Sequence, residues 1–162
     1  MYKIIKRISD VLVSFFLLIV SSPFLIITAV IIKLSSPGPV FYRAARSGLN
    51  GEPFLIFKFR TMYIGSDKGS GTTALNDPRI TSCGKFLRSY KIDELPQLVN
   101  VLIGDMSLVG PRPELLDYVA RYTDEEKIIT TVKPGITDFS SVHFFMQDQW
   151  VGEADAGKTF DN

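Results

Sequence analysis

The sequence is poor in the residues that most often build metal and redox sites. Its 162 residues contain one cysteine, Cys83, and one histidine, His143. A single cysteine excludes an internal disulfide and fits a reducing compartment without proving one. The chain also has no zinc ligand set, no nucleophile elbow and no dinucleotide-binding glycine motif. A lone histidine is also more often structural than catalytic.

A strong charge of either sign is also missing. The formal net charge is +1, so charge gives no argument for nucleic-acid binding, and we expect no nucleic-acid partner. Hydrophobic residues make up 46% of the chain, an ordinary globular value that argues against a polytopic membrane protein. A chain of 162 residues is long enough for one modest domain with its own core.

One long apolar segment lies near the N-terminus. Residues 11–32 carry no charged side chain. A straight helix of that length reaches about 33 Å, enough to cross a bilayer core of about 30 Å. Three interpretations compete: a cleaved signal peptide, a spanning helix and a re-entrant helical hairpin. The segment is longer than the apolar region of most signal peptides, and no convincing cleavage site follows it, which disfavours the first.

The centre and the flanks of this segment bear on the other two interpretations. Ser22 and Pro23 lie near its middle, where proline removes a backbone donor and serine hydroxyls can satisfy the freed groups. Basic residues on both sides would hold both ends in the cytoplasm under the positive-inside rule. Kinked spanning helices also contain proline, so a span stays open. The residues favour a re-entrant anchor over residues 1–36, followed by a catalytic domain over residues 37–162.

A β-hairpin is predicted directly after the anchor. Asn50-Gly51 is a strong turn signal, and it separates two segments, residues 40–48 and 53–62, that are rich in apolar side chains. In the second strand Lys58 and Arg60 share a face, because side chains two residues apart point the same way. Two cations on one face suit a diphosphate. A solvated strand face is the simpler alternative.

Two adjacent acids form the centre of the predicted chemistry. Asp93 and Glu94 precede Pro96, which a helix accepts in its first turn, where the backbone donors lack partners. We predict a helix that has Asp93 as its N-cap and ends at Gly104. The helix dipole favours ionised carboxylates and attracts phosphate at this end. Both acids are therefore candidate metal ligands or nucleophiles, with plain helix capping as the alternative.

Two arginines are placed to assist these acids. Arg112 lies between Pro111 and Pro113, which restrict the backbone and lower the entropic cost of gripping a phosphate or a nucleotide. Arg88 belongs to a short amphipathic helix predicted within residues 80–90, just ahead of the acids. A solvated surface position is the alternative for each arginine.

Four segments together resemble the bacterial sugar transferases that make up the monotopic phosphoglycosyl transferase family. The matching strings are FLIFKFRTM (54–62), NDPRITSCGKFLRS (76–89), KIDELPQLVNVLIGDMSLVGPRPE (91–114) and VKPGIT (132–137). The N-terminal string KIIKRISD and the Ser22-Pro23 pair resemble the membrane anchor of that family. The resemblance covers most of residues 1–137, and its Asp-Glu-Leu-Pro-Gln and Gly-Pro-Arg-Pro blocks are specific together.

The resemblance implies a reaction, a cofactor and a location. Members of the family move a phosphosugar from a UDP-sugar to a polyprenyl phosphate such as undecaprenyl phosphate, release UMP and require Mg²⁺. The reaction is a first membrane step in the assembly of exopolysaccharide or lipopolysaccharide. It takes place at the cytoplasmic face of the bacterial inner membrane, where a re-entrant helix broken at Ser-Pro holds the enzyme.

The resemblance also implies roles for particular residues. Asp93 would be the nucleophile that forms a covalent phosphosugar intermediate. Glu94 would act as a metal ligand or as a base toward the lipid phosphate, and both acids would bind Mg²⁺. Four cations would hold the substrate phosphates or the nucleotide: Lys58, Arg60, Arg88 and Arg112.

The expected fold is therefore α+β. It is mostly helical, with a small β-hairpin, an N-terminal re-entrant helix-break-helix in the membrane and amphipathic helices at the interface. Two departures from the family pattern keep other functions open. Residues 138–142 differ from the usual continuation, and the chain ends at Asn162, where relatives usually continue. The alternatives are a truncated, inactive membrane-anchored scaffold and a phosphate-ester hydrolase that uses water as the acceptor.

Overall fold

The computed structural model describes residues 1–66 and 77–138 of the chain. In these ranges a long N-terminal helix is followed by a β-hairpin, several short helices and a two-stranded parallel sheet. This arrangement confirms the predicted mixture of helix and small sheet. The altered segment at residues 138–142 lies outside the described residues except for Asp138, as does the C-terminal end of the predicted second domain.

The N-terminal helix α1, Tyr2–Ser35, continues through Pro23. The Ser22 hydroxyl donates to the carbonyl of Ile19 at 2.8 Å, so a side-chain hydrogen bond supports the backbone next to the proline. The structure does not confirm the predicted break at Ser22-Pro23 as a gap between two helices. Whether the segment enters and leaves on one side of a membrane stays a prediction.

Most of the apolar surface of α1 is exposed. In the described part of the chain it is the one helix long and apolar enough to cross a membrane. Leu12, Phe16 and Ile26 are each 64% exposed, and many neighbouring apolar side chains are similar. A contiguous apolar surface of this size marks contact with lipid or with another protein, and its length suits a bilayer. The helix therefore indicates that the protein is associated with a membrane.

Both ends of α1 pack on the rest of the protein. Near its start, the Arg7 guanidinium donates to the carbonyls of Val101 (2.5 Å) and Leu102 (2.9 Å). These carbonyls belong to the last turn of a helix, where a cation is favourable. Near its end, Ile32 is buried in a cluster with Phe59. The helix is thus fixed at two distant points.

A buried polar cluster adds a third attachment. Asp10, in α1, is 8% exposed. Its carboxylate accepts hydrogen bonds from the Ser107 hydroxyl (2.8 Å) and the Leu108 backbone N–H (3.3 Å). Lys6 pairs with Asp10 at 3.1 Å and also donates to Ser107. The carboxylate is therefore well compensated although it is buried.

The predicted hairpin is confirmed. Strand β1, Phe41–Ser47, runs antiparallel to β2, Pro53–Phe59. In the turn, Asn50 has φ 57° and Gly51 has φ 81°, and these two residue types tolerate the left-handed region better than others. The turn chemistry and the structure therefore agree.

The second strand is held by one buried amide. Helix α2 spans Ser82–Ser89, and α3 spans Leu98–Ile103. In α3, Asn100 is fully buried, and its side chain accepts from the Phe57 N–H (2.8 Å) and donates to the Leu55 carbonyl (2.9 Å). One side chain therefore replaces the strand neighbour that β2 lacks on this edge, and it sets the position of β2 against α3.

The remaining elements follow in chain order. Strand β3, Ser107–Val109, pairs in parallel with β4, Gly135–Thr137. Helix α4, Leu116–Val119, and a 3₁₀ helix, Glu126–Thr131, lie between them. The short helix predicted within residues 80–90 is present as α2, and its place at a membrane interface stays a prediction.

We expect Asn100→Ala to lower the free energy of unfolding by about 2–3 kcal/mol, because it leaves the Phe57 N–H and the Leu55 carbonyl buried without partners. Chemical denaturation in detergent measures the change. Ile103→Ala, at a position 64% exposed on the same helix, is the matched control and should have little effect. Equal stability of the two variants would contradict the role assigned to Asn100.

Candidate active site

The two acids lie in a 3₁₀ helix, Ile92–Gln97, that leads directly into α3. The prediction that Asp93 is the N-cap is wrong, because the chain turns at Lys91, which has φ 56° and precedes the first helical residue. Asp93 is therefore inside the first turn. The predicted end at Gly104 is confirmed, since this residue takes a left-handed φ of 111° after α3.

Glu94 forms ion pairs with two cations. Its Oε1 atom lies 2.7 Å from the Lys58 Nζ and 3.6 Å from the Arg112 Nη2. Burial acts to raise the pKa of Glu94, but the charges of Lys58, Arg112 and Lys91 outweigh it, so the pKa lies below its usual value. The structure thus joins β2, the 3₁₀ helix and the loop after β3 at one ionised carboxylate.

Asp93 has a different environment. It is 8% exposed and forms no ion pair with any described residue. Burial raises its pKa above the usual value. Lys58 partly offsets this, and the adjacent charge of Glu94 adds to it. Burial thus shifts the pKa of Asp93 upward, whereas the neighbouring cations shift that of Glu94 downward. Opposite shifts in neighbouring acids are typical of pairs with separate roles.

Arg88 is fixed beside the acids by a side-chain hydrogen bond. Its Nε donates to the Thr61 hydroxyl at 2.9 Å. The charge of Arg88, like the larger effect of Lys58, acts to lower the pKa of Asp93. Lys58 and Arg112 contact Glu94 directly.

Arg60 does not join this site, and the prediction that it shares a strand face with Lys58 is wrong. Strand β2 ends at Phe59, and Arg60 is only 6% exposed. Its guanidinium donates to the carbonyls of Ser36 (2.7 Å) and Pro37 (2.5 Å). Arg60 therefore holds the turn that follows α1, and these contacts occupy both of its Nη atoms.

Arg112 is positioned by close contact between two glycines. The Gly110 N–H donates to the Thr137 carbonyl (3.0 Å), and the Gly135 N–H donates to the Pro111 carbonyl (2.8 Å). A Cβ on Gly110 would lie 2.4 Å from the Lys133 carbonyl oxygen, so a side chain does not fit there. The Pro-Arg-Pro segment is therefore fixed by the pairing of β3 with β4, as its prolines suggested.

A cavity of about 330 Å³ adjoins the acids. Seven polar or aromatic residues used below line it: Arg46, Lys58, Glu94, Gln97, Arg112, Glu114 and Tyr118. Of the two acids, Glu94 lines the cavity and Asp93 does not. The cavity therefore reaches the pair from the Glu94 side.

Four of these residues were missed from sequence: Arg46, Gln97, Glu114 and Tyr118. Gln97 is 2% exposed, and Arg46 has a buried Nη1 atom without a hydrogen-bond partner in the described chain. From sequence, Arg46 counts only as one of the basic residues that flank the membrane segment. Strand periodicity could have identified Arg46 as inward-facing, because it lies two residues after Ala44 in β1 and Ala44 packs on the core.

The acids are compatible with a magnesium site. The described residues contain no cluster of three or more histidine, cysteine or acidic side chains able to hold a metal. Mg²⁺ is, however, commonly bound by one or two carboxylates together with substrate phosphates. Asp93 and Glu94 supply two carboxylates, and that of Asp93 forms no ion pair with a described residue. The donor set thus fits Mg²⁺ shared with a phosphate ligand.

A buried carboxylate, convergent cations and an adjacent membrane helix are typical of an enzyme that acts on phosphate groups near a membrane. Residues 1–156 match the bacterial sugar transferase family, and the chain belongs to that family. The resemblance noted from its motifs is therefore confirmed. By family and by the names of its relatives, its class is that of the sugar-phosphate transferases, which are enzymes.

Three relatives illustrate the range of the family. The sugar transferase EpsL of Bacillus subtilis, itself uncharacterized, is 43% identical over 86% of this chain and 69% of its own length. The UDP-glucose:undecaprenyl-phosphate glucose-1-phosphate transferase of Escherichia coli is 40% identical over 94% of this chain and 33% of its own. The UDP-N-acetylgalactosamine-undecaprenyl-phosphate N-acetylgalactosaminephosphotransferase of Aeromonas hydrophila is 42% identical, over 87% and 34% respectively. The chain thus spans about a third of two of these relatives.

We expect Arg60→Met to lower the free energy of unfolding by about 3 kcal/mol, because it leaves the carbonyls of Ser36 and Pro37 without a charged donor. Thermal and chemical denaturation in detergent measure the loss. Arg112→Met removes an equal charge from a side chain that is 57% exposed, and it should cost less than about 1 kcal/mol. A larger loss in Arg112→Met than in Arg60→Met would contradict the structural role of Arg60.

Proposed function

We propose that this protein transfers a phosphosugar from a UDP-sugar to a polyprenyl phosphate, with undecaprenyl phosphate as the acceptor. The products are polyprenyl-diphosphate-sugar and UMP. The observation that carries the proposal is the acid pair: Asp93 is buried without an ion-pair partner, and its neighbour Glu94 is paired with Lys58 and Arg112. One acid is thus available for bonding, and the other keeps cations in place beside it.

The names of the relatives support this choice of substrates. The Escherichia coli and Aeromonas hydrophila proteins are both named for undecaprenyl phosphate, and both donors are UDP-sugars. Their sugars differ, glucose in one and N-acetylgalactosamine in the other, at nearly the same identity to this chain. We therefore propose the donor class and the acceptor, and assign no particular sugar.

The first step is a displacement at the sugar-proximal phosphorus. A carboxylate oxygen of Asp93 forms a bond to this phosphorus, the bond from phosphorus to the bridging oxygen breaks, and UMP leaves with that oxygen. Lys58 and Arg112 neutralise the charge on the leaving group, because both lie at the cavity beside Glu94.

The second step regenerates the enzyme. An oxygen of the polyprenyl phosphate attacks the same phosphorus, and the bond to Asp93 breaks, so the carboxylate returns to its starting state. Arg88 is near Asp93 and would balance the negative charge of the incoming phosphate. Two displacements divide one difficult reaction into two easier ones.

Mg²⁺ is the cofactor we propose, held by Asp93 and Glu94 together with donor phosphates. When bound, it would neutralise charge on the diphosphate. This role agrees with a site in which charge neutralisation and positioning are the main contributions to rate.

The membrane arrangement we propose is re-entrant, at the cytoplasmic face of the bacterial inner membrane. Arg7 and Ile32 are 25 positions apart, about 37 Å in a straight helix. Arg7 binds Val101, and Ile92 packs on the cluster that contains Ile32. Val101 and Ile92 are separated by at most about 18 Å of continuous helix. This mismatch favours a bend in α1, and Pro23 is the residue that would cause it.

A labelling experiment tests this topology. In a Cys83→Ser background, we expect Lys3→Cys and Glu52→Cys to react with an impermeant thiol reagent from the same side of inverted membrane vesicles, because a re-entrant helix returns the chain to its starting side. Both positions are exposed. Reaction from opposite sides would rule out the re-entrant arrangement and leave a spanning helix.

The nucleophile is tested by release of UMP. With Mg²⁺, undecaprenyl phosphate and a panel of UDP-sugars, we expect Asp93→Asn to lower turnover by more than about 1,000-fold, since an amide does not form the acyl-phosphate bond. Asp117→Asn, at an exposed acid, should keep normal activity. Near-normal turnover by Asp93→Asn would show that the nucleophile is another group.

The acceptor separates transfer from hydrolysis. Without lipid phosphate, a transferase should release no more than about one UMP per protein, because the covalent intermediate has no acceptor. Trapping that intermediate and locating the adduct by mass spectrometry should place it on Asp93. Sustained UMP release without lipid phosphate would identify a hydrolase instead.

A further inference from the structure

The cavity beside Glu94 has two distinct ends. On the inward face of the hairpin, Lys58 stands opposite Tyr42, and Arg46 stands opposite Phe54. Positions 54 and 58 are four residues apart on β2, which is about 13 Å along the strand. Lys58 and Glu94 therefore mark one end of the cavity, and Arg46 marks the other.

The Arg46 end of the cavity is formed where β1 packs against the segment that precedes α4. The Ser47 N–H donates to the Glu114 carbonyl at 2.9 Å, which brings the end of β1 against the segment that precedes α4. Glu114 and Leu115 from that segment line the cavity, together with Tyr118 from α4. This end thus combines an apolar wall, an aromatic ring and a carboxylate beside one guanidinium group.

Arg46 is the cation that lines this cavity and has a buried donor atom without a partner in the described chain. Lys58 and Arg112 both contact Glu94. Arg46, in contrast, forms no ion pair with a described residue, and its Nη1 atom is buried without a hydrogen-bond partner. A buried guanidinium donor without a partner is costly, so its presence indicates a ligand that supplies an acceptor.

We infer that Arg46 binds the uridine part of the donor nucleotide by donating hydrogen bonds to oxygen atoms of the base or the ribose. The inference rests on the proposed function and extends it to the recognition of the nucleotide. Arg46 is thereby a substrate-binding residue that acts at a distance from the reacting phosphorus.

The direction of the displacement supports the nucleoside over the sugar. In phosphoryl transfer the attacking and leaving oxygens lie roughly in line, so UMP departs on the side opposite Asp93. The cavity is lined by Glu94 and not by Asp93, and it extends away from the pair toward Arg46. The leaving nucleotide therefore extends along the cavity, with its phosphate near Lys58 and its base near Tyr118.

The chemistry of the two ends supports the same assignment. The phosphates already have Lys58 and Arg112 as neighbours at the Glu94 end. A planar guanidinium group suits carbonyl and hydroxyl acceptors, and an aromatic ring beside it suits the flat face of a base. A phosphate bound at Arg46 would also lie close to Glu114, which carries a like charge.

Calorimetry with UMP and with inorganic pyrophosphate tests the inference. The variants are Arg46→Met and Arg46→Lys in the full chain in detergent. Arg43→Met is the matched control, because Arg43 carries the same charge on the same strand but is exposed on the opposite face, over the Phe57 ring. Thermal unfolding of each variant checks that it is folded.

We expect Arg46→Met to weaken UMP binding by about 10- to 100-fold, the usual effect of a lost hydrogen bond from a charged donor. Pyrophosphate binding should change by less than about 3-fold. Arg46→Lys should be intermediate, since it keeps the charge but loses the planar fork. Arg43→Met should bind both ligands normally. In turnover, the donor KM should rise as the UMP affinity falls, while kcat and the acceptor KM stay unchanged.

Three results would overturn the inference: unchanged UMP binding in Arg46→Met, equal weakening of UMP and pyrophosphate, or a raised donor KM with normal UMP affinity. The last result would place the sugar at Arg46. If Arg46→Met does not fold, Arg46→Lys and Arg46→Gln carry the same comparison. UMP binding can be measured without turnover. A protein that binds UMP through Arg46 but transfers no phosphosugar would contradict the proposed reaction and would still support Arg46 as a nucleotide-binding residue.

Discussion

The ion pair between Lys58 and Glu94, 2.7 Å long and largely buried, is the interaction on which the site depends. A buried pair gains little net stability, because both charges lose water when they come together. Its value lies in position: it joins the hairpin to the 3₁₀ helix and keeps Glu94 ionised. With the nearest cation engaged by Glu94, Asp93 stays buried without a partner of its own among the described residues. The contact thus sets the environment of Glu94, whereas burial is the main influence on Asp93.

This contact requires a hairpin that is held firmly. Asn100 fixes the free edge of β2, and Ile56 packs on Val101 and Met106 beneath it. The same α3 that carries Asn100 continues from the 3₁₀ helix of the acids. Strand β2 and the acids are therefore both held in place by α3. Because their positions are fixed by the fold, the Lys58 and Glu94 side chains meet without a large loss of conformational freedom.

Features set by local chemistry were predictable from the sequence, and features set by distant contacts were not. Asn50-Gly51 determines its turn, and Gly104 ends its helix, because each depends on backbone preferences of one or two residues. Arg60 and Arg46 look like ordinary strand cations in the sequence. One is occupied by carbonyls after α1, and the other lines a cavity, because segments far apart in the chain fold onto them. The raised pKa of Asp93 has the same origin, since burial is a tertiary property.

The Asp10 carboxylate has a consequence for the geometry of the whole enzyme. It lies within the lipid-exposed helix but binds Ser107 and the Leu108 N–H, at the start of the strand that leads to the Pro-Arg-Pro segment. The position of Arg112 relative to α1 is therefore set by these hydrogen bonds. In the membrane arrangement proposed above, the cations of the site would keep a fixed distance from the lipid surface.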